Sequence, residues 1–209
     1  MRRPKDHYPP TPAEQARHFE RMLTRADAPN LLRISPGIEY TMKAHGGQHQ
    51  ELCDKDGEEI RGRETNLLYQ VELGETNVWN DPIALEQKVW PYESAAATRN
   101  EWNYLVRQAR RCTGVNNVGD ESRPILHRIS NGRTRRQVNG ERGIWISIQL
   151  SADEADPDTE DGGYYVLFRA GNSIHSVEFD YADRKGLTRD ERDAVEELGQ
   201  ALAHRWIGD

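Results

Sequence analysis

The sequence predicts an α+β domain: a largely antiparallel sheet flanked by an N-terminal, a central and a C-terminal helix. Three observations predict it. Two capping boxes, Thr11-Pro12-Ala13-Glu14 and Thr188-Arg189-Asp190-Glu191, open helices near the two ends of the chain. Between them, Trp102, Leu105, Val106, Ala109 and Cys112 keep the i, i+3, i+4, i+7 spacing of a buried helical face. The remainder is dominated by short alternating runs punctuated by tight-turn dipeptides, the mark of half-buried strands. Strand runs broken by widely separated helices favour an antiparallel sheet over repeated β-α-β units.

Taken in order, residues 1–10 are polar and Pro-rich and read as an extended arm, with a single domain over 11–209. Pro12 at the first helical position has no N–H to orphan, and the helix is expected to run to about Ala26 with Ala16, Phe19, Met22 and Leu23 on its apolar side. Pro29 and Ser35-Pro36-Gly37 end that unit. A strand is expected over 38–44, then a Gly/His-rich loop to Cys53 and a charged loop to Glu64. Leu67, Tyr69, Val71 and Leu73 alternate as one face of a strand, and 87–92 forms a short strand ending around Pro91. Ser94 caps the central helix over 95–112, which Gly114 stops.

Strands are expected over 125–129 and 143–150, with turns at Asn131-Gly132 and Asn139-Gly140, because both dipeptides favour positive φ. The segments 164–169 and 174–180 flank Gly171-Asn172 as a hairpin. The last helix carries Val195, Leu198, Leu202 and Trp206 as its apolar stripe. No internal repeat is visible.

The chain has 209 residues, 35% hydrophobic and 30% charged, with a formal net charge of −7. That is a modest core under a polar skin, with five Trp and eight Tyr supplying bulk. The acidic balance argues against nucleic acid and against generic binding to anionic membranes, unless a local patch overrides it. No apolar run approaches the roughly 18 residues of a membrane-spanning helix, and none follows the basic start as in a secretory signal.

Cys53 and Cys112 are the only cysteines. One lies in a polar loop and the other closes the central helix, an arrangement that reads as a single staple and points to an oxidising compartment. Such a bridge would remove about 4 kcal/mol of unfolded-chain entropy in the loop-closure picture. The alternative is two unpaired thiols. His45, His49 and Cys53 have a spacing that zinc ligands can adopt on a helix, but Gly46-Gly47 opposes a helix and no fourth ligand is evident, so no metal is expected. The acids Asp153, Glu154, Asp156, Asp158, Glu160 and Asp161 fail the calcium-loop pattern and read as a solvated loop. Arg128, Arg133, Arg135 and Arg136 make a locally basic stretch within 123–142. It reads either as a solvent face complementing the acidic 153–161 loop or as a patch for an anionic partner. There is no nucleophile elbow, phosphate loop or dinucleotide fingerprint, hence no catalytic residue and no cofactor to nominate.

The run Val89-Trp90-Pro91-Tyr92-Glu93-Ser94-Ala95-Ala96-Ala97, continuing through Trp102 and Leu105 to Cys112, resembles a pattern in actinobacterial cell-envelope proteins. These are the mycobacterial-type lipoproteins and the extracellular sensor domains of membrane serine/threonine kinases. The 23–29 segment is similar to their opening helix and turn, and 166–174 with Val177 and the helix to Trp206 is similar to their closing hairpin and helix. The resemblance implies an α+β domain outside the membrane, a disulfide, and a concave sheet face that receives a ligand. Two departures stand out: the kinase sensors carry two disulfides where one is possible here, and this chain shows no lipid-attachment cysteine or anchor.

The expected function is therefore a non-enzymatic, extracytoplasmic, sensor-like or lipoprotein-like domain binding a small molecule, lipid, glycan or protein. Trp79, Trp90, Trp145 and Tyr165 are candidate contacts, and any membrane tether lies outside the chain. The alternatives are a cytosolic or mobile-element interaction protein using the basic 123–142 stretch, and an enzyme whose site assembles only in three dimensions. Thiol titration of denatured, unreduced protein from its native compartment is expected to find no free thiol; two free thiols would remove the staple.

Overall fold

An eight-stranded antiparallel sheet organises the computed structural model, which describes residues 11–32, 34, 39–48, 64–73, 84–111, 113–117, 125–152, 162–181 and 186–207. The strands are β1 (Glu39–Gln48), β2 (Glu64–Leu73), β3 (Ala84–Pro91), β4 (Gly114–Asn117), β5 (Ile125–Val138), β6 (Glu141–Ala152), β7 (Gly162–Ala170) and β8 (Ser173–Tyr181). Their spatial order is β1-β2-β3-β8-β7-β6-β5-β4. Two meanders, β1–β3 and β4–β8, thus meet where the last strand returns to pair with β3. Helix α1 (Pro12–Phe19) opens the described chain, α2 (Ala95–Arg111) carries it from mid-sheet to the far edge, and α3 (Arg189–Arg205) closes it. The predicted α+β class and antiparallel sheet are therefore the observed ones.

Period-2 alternation sorts the strand side chains onto two faces, each with its own core. On one, Tyr69, Val71, Leu85, Val89, Val166, Phe168, Val177 and Phe179 pack against Val195, Leu198, Leu202 and Trp206 of the α3 segment. Gly199 permits this contact, because a Cβ there would stand 2.7 Å from a Val166 methyl. On the other face, Leu68, Trp90, Ile129, Ile144, Ile146, Leu167 and Ile174 pack against Trp102, Leu105, Val106 and Ala109 of α2. Both capping boxes form, at Thr11–Glu14 and at Thr188–Glu191. Ser94 caps α2 through its hydroxyl, which accepts the Ala97 N–H at 3.1 Å.

The first helix stops at Phe19, not near Ala26. A buried amide on β3 explains the early stop. The Gln87 side chain accepts the Leu23 N–H at 2.6 Å and donates to the Leu23 carbonyl at 2.6 Å, taking both groups that a continued helix would need. Met22 and Leu23 turn inward, and Thr24 starts a short 3-10 turn, Arg25–Asp27, with Asp27 accepting the Thr24 N–H at 2.7 Å. From α3, the Arg205 guanidinium donates to the Met22 carbonyl at 2.7 Å and pairs with Asp27. Burial works against that carboxyl, but the bonds from Thr24 and Arg205 win and hold it below its usual range.

Beside this turn, Trp206 stacks on His18 with ring centroids 5.0 Å apart and lies 5.8 Å from His175, which is fully buried. Ser173 spends its single hydrogen on the Ala170 carbonyl, so the 2.8 Å contact to His175 requires an Nε2–H tautomer. Burial depresses this imidazole to about 3, and it stays neutral at ordinary pH.

Four further expectations are corrected. Asn131-Gly132 is no turn: it runs inside β5 opposite Ile146 and Trp145, and glycine is needed there because the indole lies 2.7 Å from where a Cβ would stand. The hairpin turns instead at Asn139-Gly140, with φ of 50° and 78°. Strand β1 extends through His45 to Gln48, with register shifts on either side of His45, where a loop was expected. His45 thus sits on a strand, not on the helix a zinc series would need. Strand β4 was not foreseen; Gly114, at φ 125°, turns the chain into it. His49, Cys53, Cys112, the 1–10 arm and the 153–161 acidic run lie outside the described residues.

Replacing Gln87 with Leu orphans two buried backbone groups, and a loss of about 3 kcal/mol is expected in urea unfolding. A loss below about 1 kcal/mol would show that the turn is held by other means.

Candidate functional site

Among the described residues, the apolar stripe of helix α2 packs on one part of its face of the sheet. Toward the Trp90 end of β3 the strands present Leu68, Trp90, Ile174, Leu167 and Ile146 to the helix. Two to four residues further along the same strands, on the same face, the side chains become Gln70, Lys88, Glu86, Ser176, Glu178 and Tyr165. Register places them side by side: Gln70 opposite Lys88, Lys88 opposite Ser176, Glu86 opposite Glu178, and Glu178 opposite Tyr165. Cross-strand neighbours stand about 5 Å apart, close enough to act as one polar row.

The row is hydrogen-bonded within itself. Lys88 pairs with Glu86 and, at 3.4 Å, with Glu178; Gln70 donates to Glu86. The three charged side chains are only 10–17% exposed, so solvent screens them weakly. Burial lifts the Glu86 carboxyl above its usual range; Lys88 opposes the rise and Glu178 adds to it. Burial alone would lower the Lys88 ammonium, but the Glu178 and Glu86 carboxylates outweigh it and hold it above its usual value. The reading consistent with both shifts is an ammonium that stays charged between two carboxyls, of which Glu86 is protonated more readily than an ordinary carboxylate. Ser176 is 1% exposed, and its hydroxyl has no hydrogen-bond partner among the described residues. A buried hydroxyl without a partner costs about 1–3 kcal/mol, which a ligand could recover.

The aromatic residues singled out from sequence do not share one cleft. Trp90 is 1% exposed and belongs to the core beneath α2, a correction to its role as a contact. Trp145 is half-buried on the opposite, α3-side face, its ring 6.0 Å from that of Tyr164. Tyr165 alone borders the polar row, and Trp79 lies outside the described residues.

The basic stretch divides as well. Arg128 is exposed on β5, and the Arg133 guanidinium donates to the Arg142 carbonyl at 3.1 Å. Arg135 pairs with Asp193 at 3.2 Å and Arg136 with Glu197 at 2.8 Å. The buried Glu196 accepts the Arg135 backbone N–H at 2.8 Å and the Tyr164 hydroxyl at 3.3 Å; burial and that carboxylate hold the hydroxyl well above its usual range. These contacts line a shallow groove of about 340 Å³ between β5 and α3. The charges of Arg135 and Arg136 are thus answered by α3, a partner that sequence reading did not supply. No group of three or more His, Cys, Asp or Glu side chains suited to a metal occurs among the described residues.

No family model and no curated protein matches this chain. Among solved structures, its fold is similar to the extracellular domain of PknH from Mycobacterium tuberculosis, with a TM-score of 0.59 and 11% identity, covering 91% of this chain and 95% of that one. At that identity the likeness is one of fold.

Lys88→Met leaves Glu86 and Glu178 facing each other without their shared cation. A loss of about 3 kcal/mol is expected at pH 7. The folded Glu86 then titrates well above its unfolded value, so the folded state holds the extra proton and the deficit relative to wild type shrinks as pH falls through the carboxyl range. Urea unfolding at pH 7 and pH 4.5 checks this; equal deficits at both would contradict the shared-cation account.

Proposed function

We propose that this chain is a non-enzymatic, extracytoplasmic, sensor-like domain that binds a polyhydroxylated small molecule, such as a glycan unit, on the polar half of the α2-side sheet face. One observation carries the reading: neighbouring strands present amide, carboxylate, ammonium and hydroxyl groups in one mostly buried polar cluster, and the Ser176 hydroxyl within it lacks a partner among the described residues. Carboxylates and amides engage adjacent hydroxyls two at a time, the ammonium donates to ring or hydroxyl oxygens, and Tyr165 at the border offers an apolar ring. Strand-borne groups lose little freedom on binding, which favours recognition of a small ligand.

The extracytoplasmic placement draws support from the likeness in fold to an extracellular domain. A domain of this kind reports a ligand by a change in stability or partner contact and needs no reacting group. That fits a row whose charges already neutralise one another in part.

The test is thermal unfolding against a panel of soluble mono- and disaccharides, with amino acids and simple carboxylates as the contrasting set. A ligand at one hundred times its dissociation constant stabilises by about 2.7 kcal/mol, a readily measured rise in Tm. The rise is expected for hydroxyl-rich compounds and is expected to vanish in Ser176→Val. A rise confined to the contrasting set, or one that survives Ser176→Val undiminished, would defeat the reading.

A further inference from the structure

The outward face of α2 carries charge of one sign. Its exposed residues include Arg99, Arg107, Arg110 and Arg111, and at about 100° per residue these four fall within an arc of about 120°. Only Ala96, Asn100 and Asn103 share that arc. The one acid in the helix, Glu101, is on the inward side and 3% exposed. Glu93, just ahead of the helix, sits at the N-terminal end, where the helix dipole favours an anion. None of the four guanidinium groups makes an ion pair among the described residues, in contrast to Arg135, Arg136, Arg169 and Arg205. A chain of net charge −7 therefore keeps, in one row about 18 Å long, four arginines with no ion pair among the described residues.

We infer that this row is a docking surface for an anionic phospholipid membrane. Guanidinium forks match phosphate oxygens two at a time, and every cation in the helix is arginine, none lysine. A protein interface is usually anchored by apolar or aromatic side chains. This arc offers none larger than Ala96, and the single exposed large hydrophobic among the described residues, Ile207, lies past the end of α3. An exposed row along one side of a helix engages a plane of headgroups with all four charges at once. The choice of lipid over nucleic acid, which offers the same phosphates, rests on the extracytoplasmic reading above; the vesicle measurement stands without it.

Sedimentation of the full chain with phosphatidylcholine vesicles, with and without about a third phosphatidylglycerol, tests this. Binding is expected only with the anionic lipid, and is expected to weaken steeply as salt rises from low to molar levels. Each Arg→Gln change on the row is expected to lower partitioning about fivefold. The quadruple variant R99Q/R107Q/R110Q/R111Q, checked for an unchanged Tm, is expected to lose binding, while R133Q/R142Q retains it. No binding to phosphatidylglycerol vesicles at low salt, or binding untouched by the quadruple variant, would overturn the inference. So would a row-dependent affinity for duplex DNA or polyglutamate without affinity for vesicles. Failure here leaves the saccharide result on the sheet face unaffected, and the reverse holds too.

Discussion

The turn at Met22–Asp27 has no strand or long helix to satisfy its backbone, and it lies where the two halves of the sheet meet. It is held from both sides. Gln87, on the last strand of the first meander, takes the N–H and C=O of Leu23; Arg205, on the helix that packs over the second, takes the carbonyl of Met22 and the carboxylate of Asp27. Each buried hydrogen bond contributes only about 1 kcal/mol net, but leaving such a group unpaired costs more. Both clamps thus hold in place the turn that packs Met22, Leu23 and Leu32 into the core. With them in place, Trp206, His18, Tyr69 and His175 close over the β3–β8 seam.

The division of labour between the two faces follows from that seam. The α3-side face holds the larger core, packed under α3 and the clamped turn, and even its buried imidazole is held neutral. Among the described residues the other face has one crossover helix, whose apolar stripe from Trp102 to Ala109 is about two turns long, and that stripe packs on the Trp90 end of the central strands. Beyond it the strands carry polar groups. Two carboxyls and one ammonium could not remain there so little exposed without pairing, and the register supplies the pairs. The same helix turns its arginines outward. One element thus sets the limit of the polar row on one side and the charged surface on the other.

Much of this was legible in the residues. Capping boxes placed the starts of α1 and α3, alternation placed β2, β7 and β8, and Gly171-Asn172 placed their hairpin. What escaped did so for physical reasons. The stop at Phe19 depends on an amide 64 residues away in sequence, so local propensity runs past it. Gly132 looked like a turn because local preference carries no information about the indole that crosses it. Trp90 looked like a contact because an aromatic residue at a strand position reads the same whether a helix covers it or not. The polar row had one visible signal, Glu86 and Lys88 alternating with Leu85 and Val89. The core-facing Gln87 in the middle of that run obscured it, and is itself the mark of a buried amide with work to do.

Native-state hydrogen exchange at the Leu23 amide addresses the central claim most directly. This N–H belongs to a turn, where exchange is ordinarily fast, yet its acceptor is a side chain on a central strand. If the Gln87 clamp holds the two meanders together, Leu23 exchanges as slowly as the Val89 amide of β3, through global unfolding alone. Exchange at Leu23 many orders of magnitude faster than at Val89 would mean that the turn opens on its own, and the clamp would then be a consequence of the fold, not a condition for it.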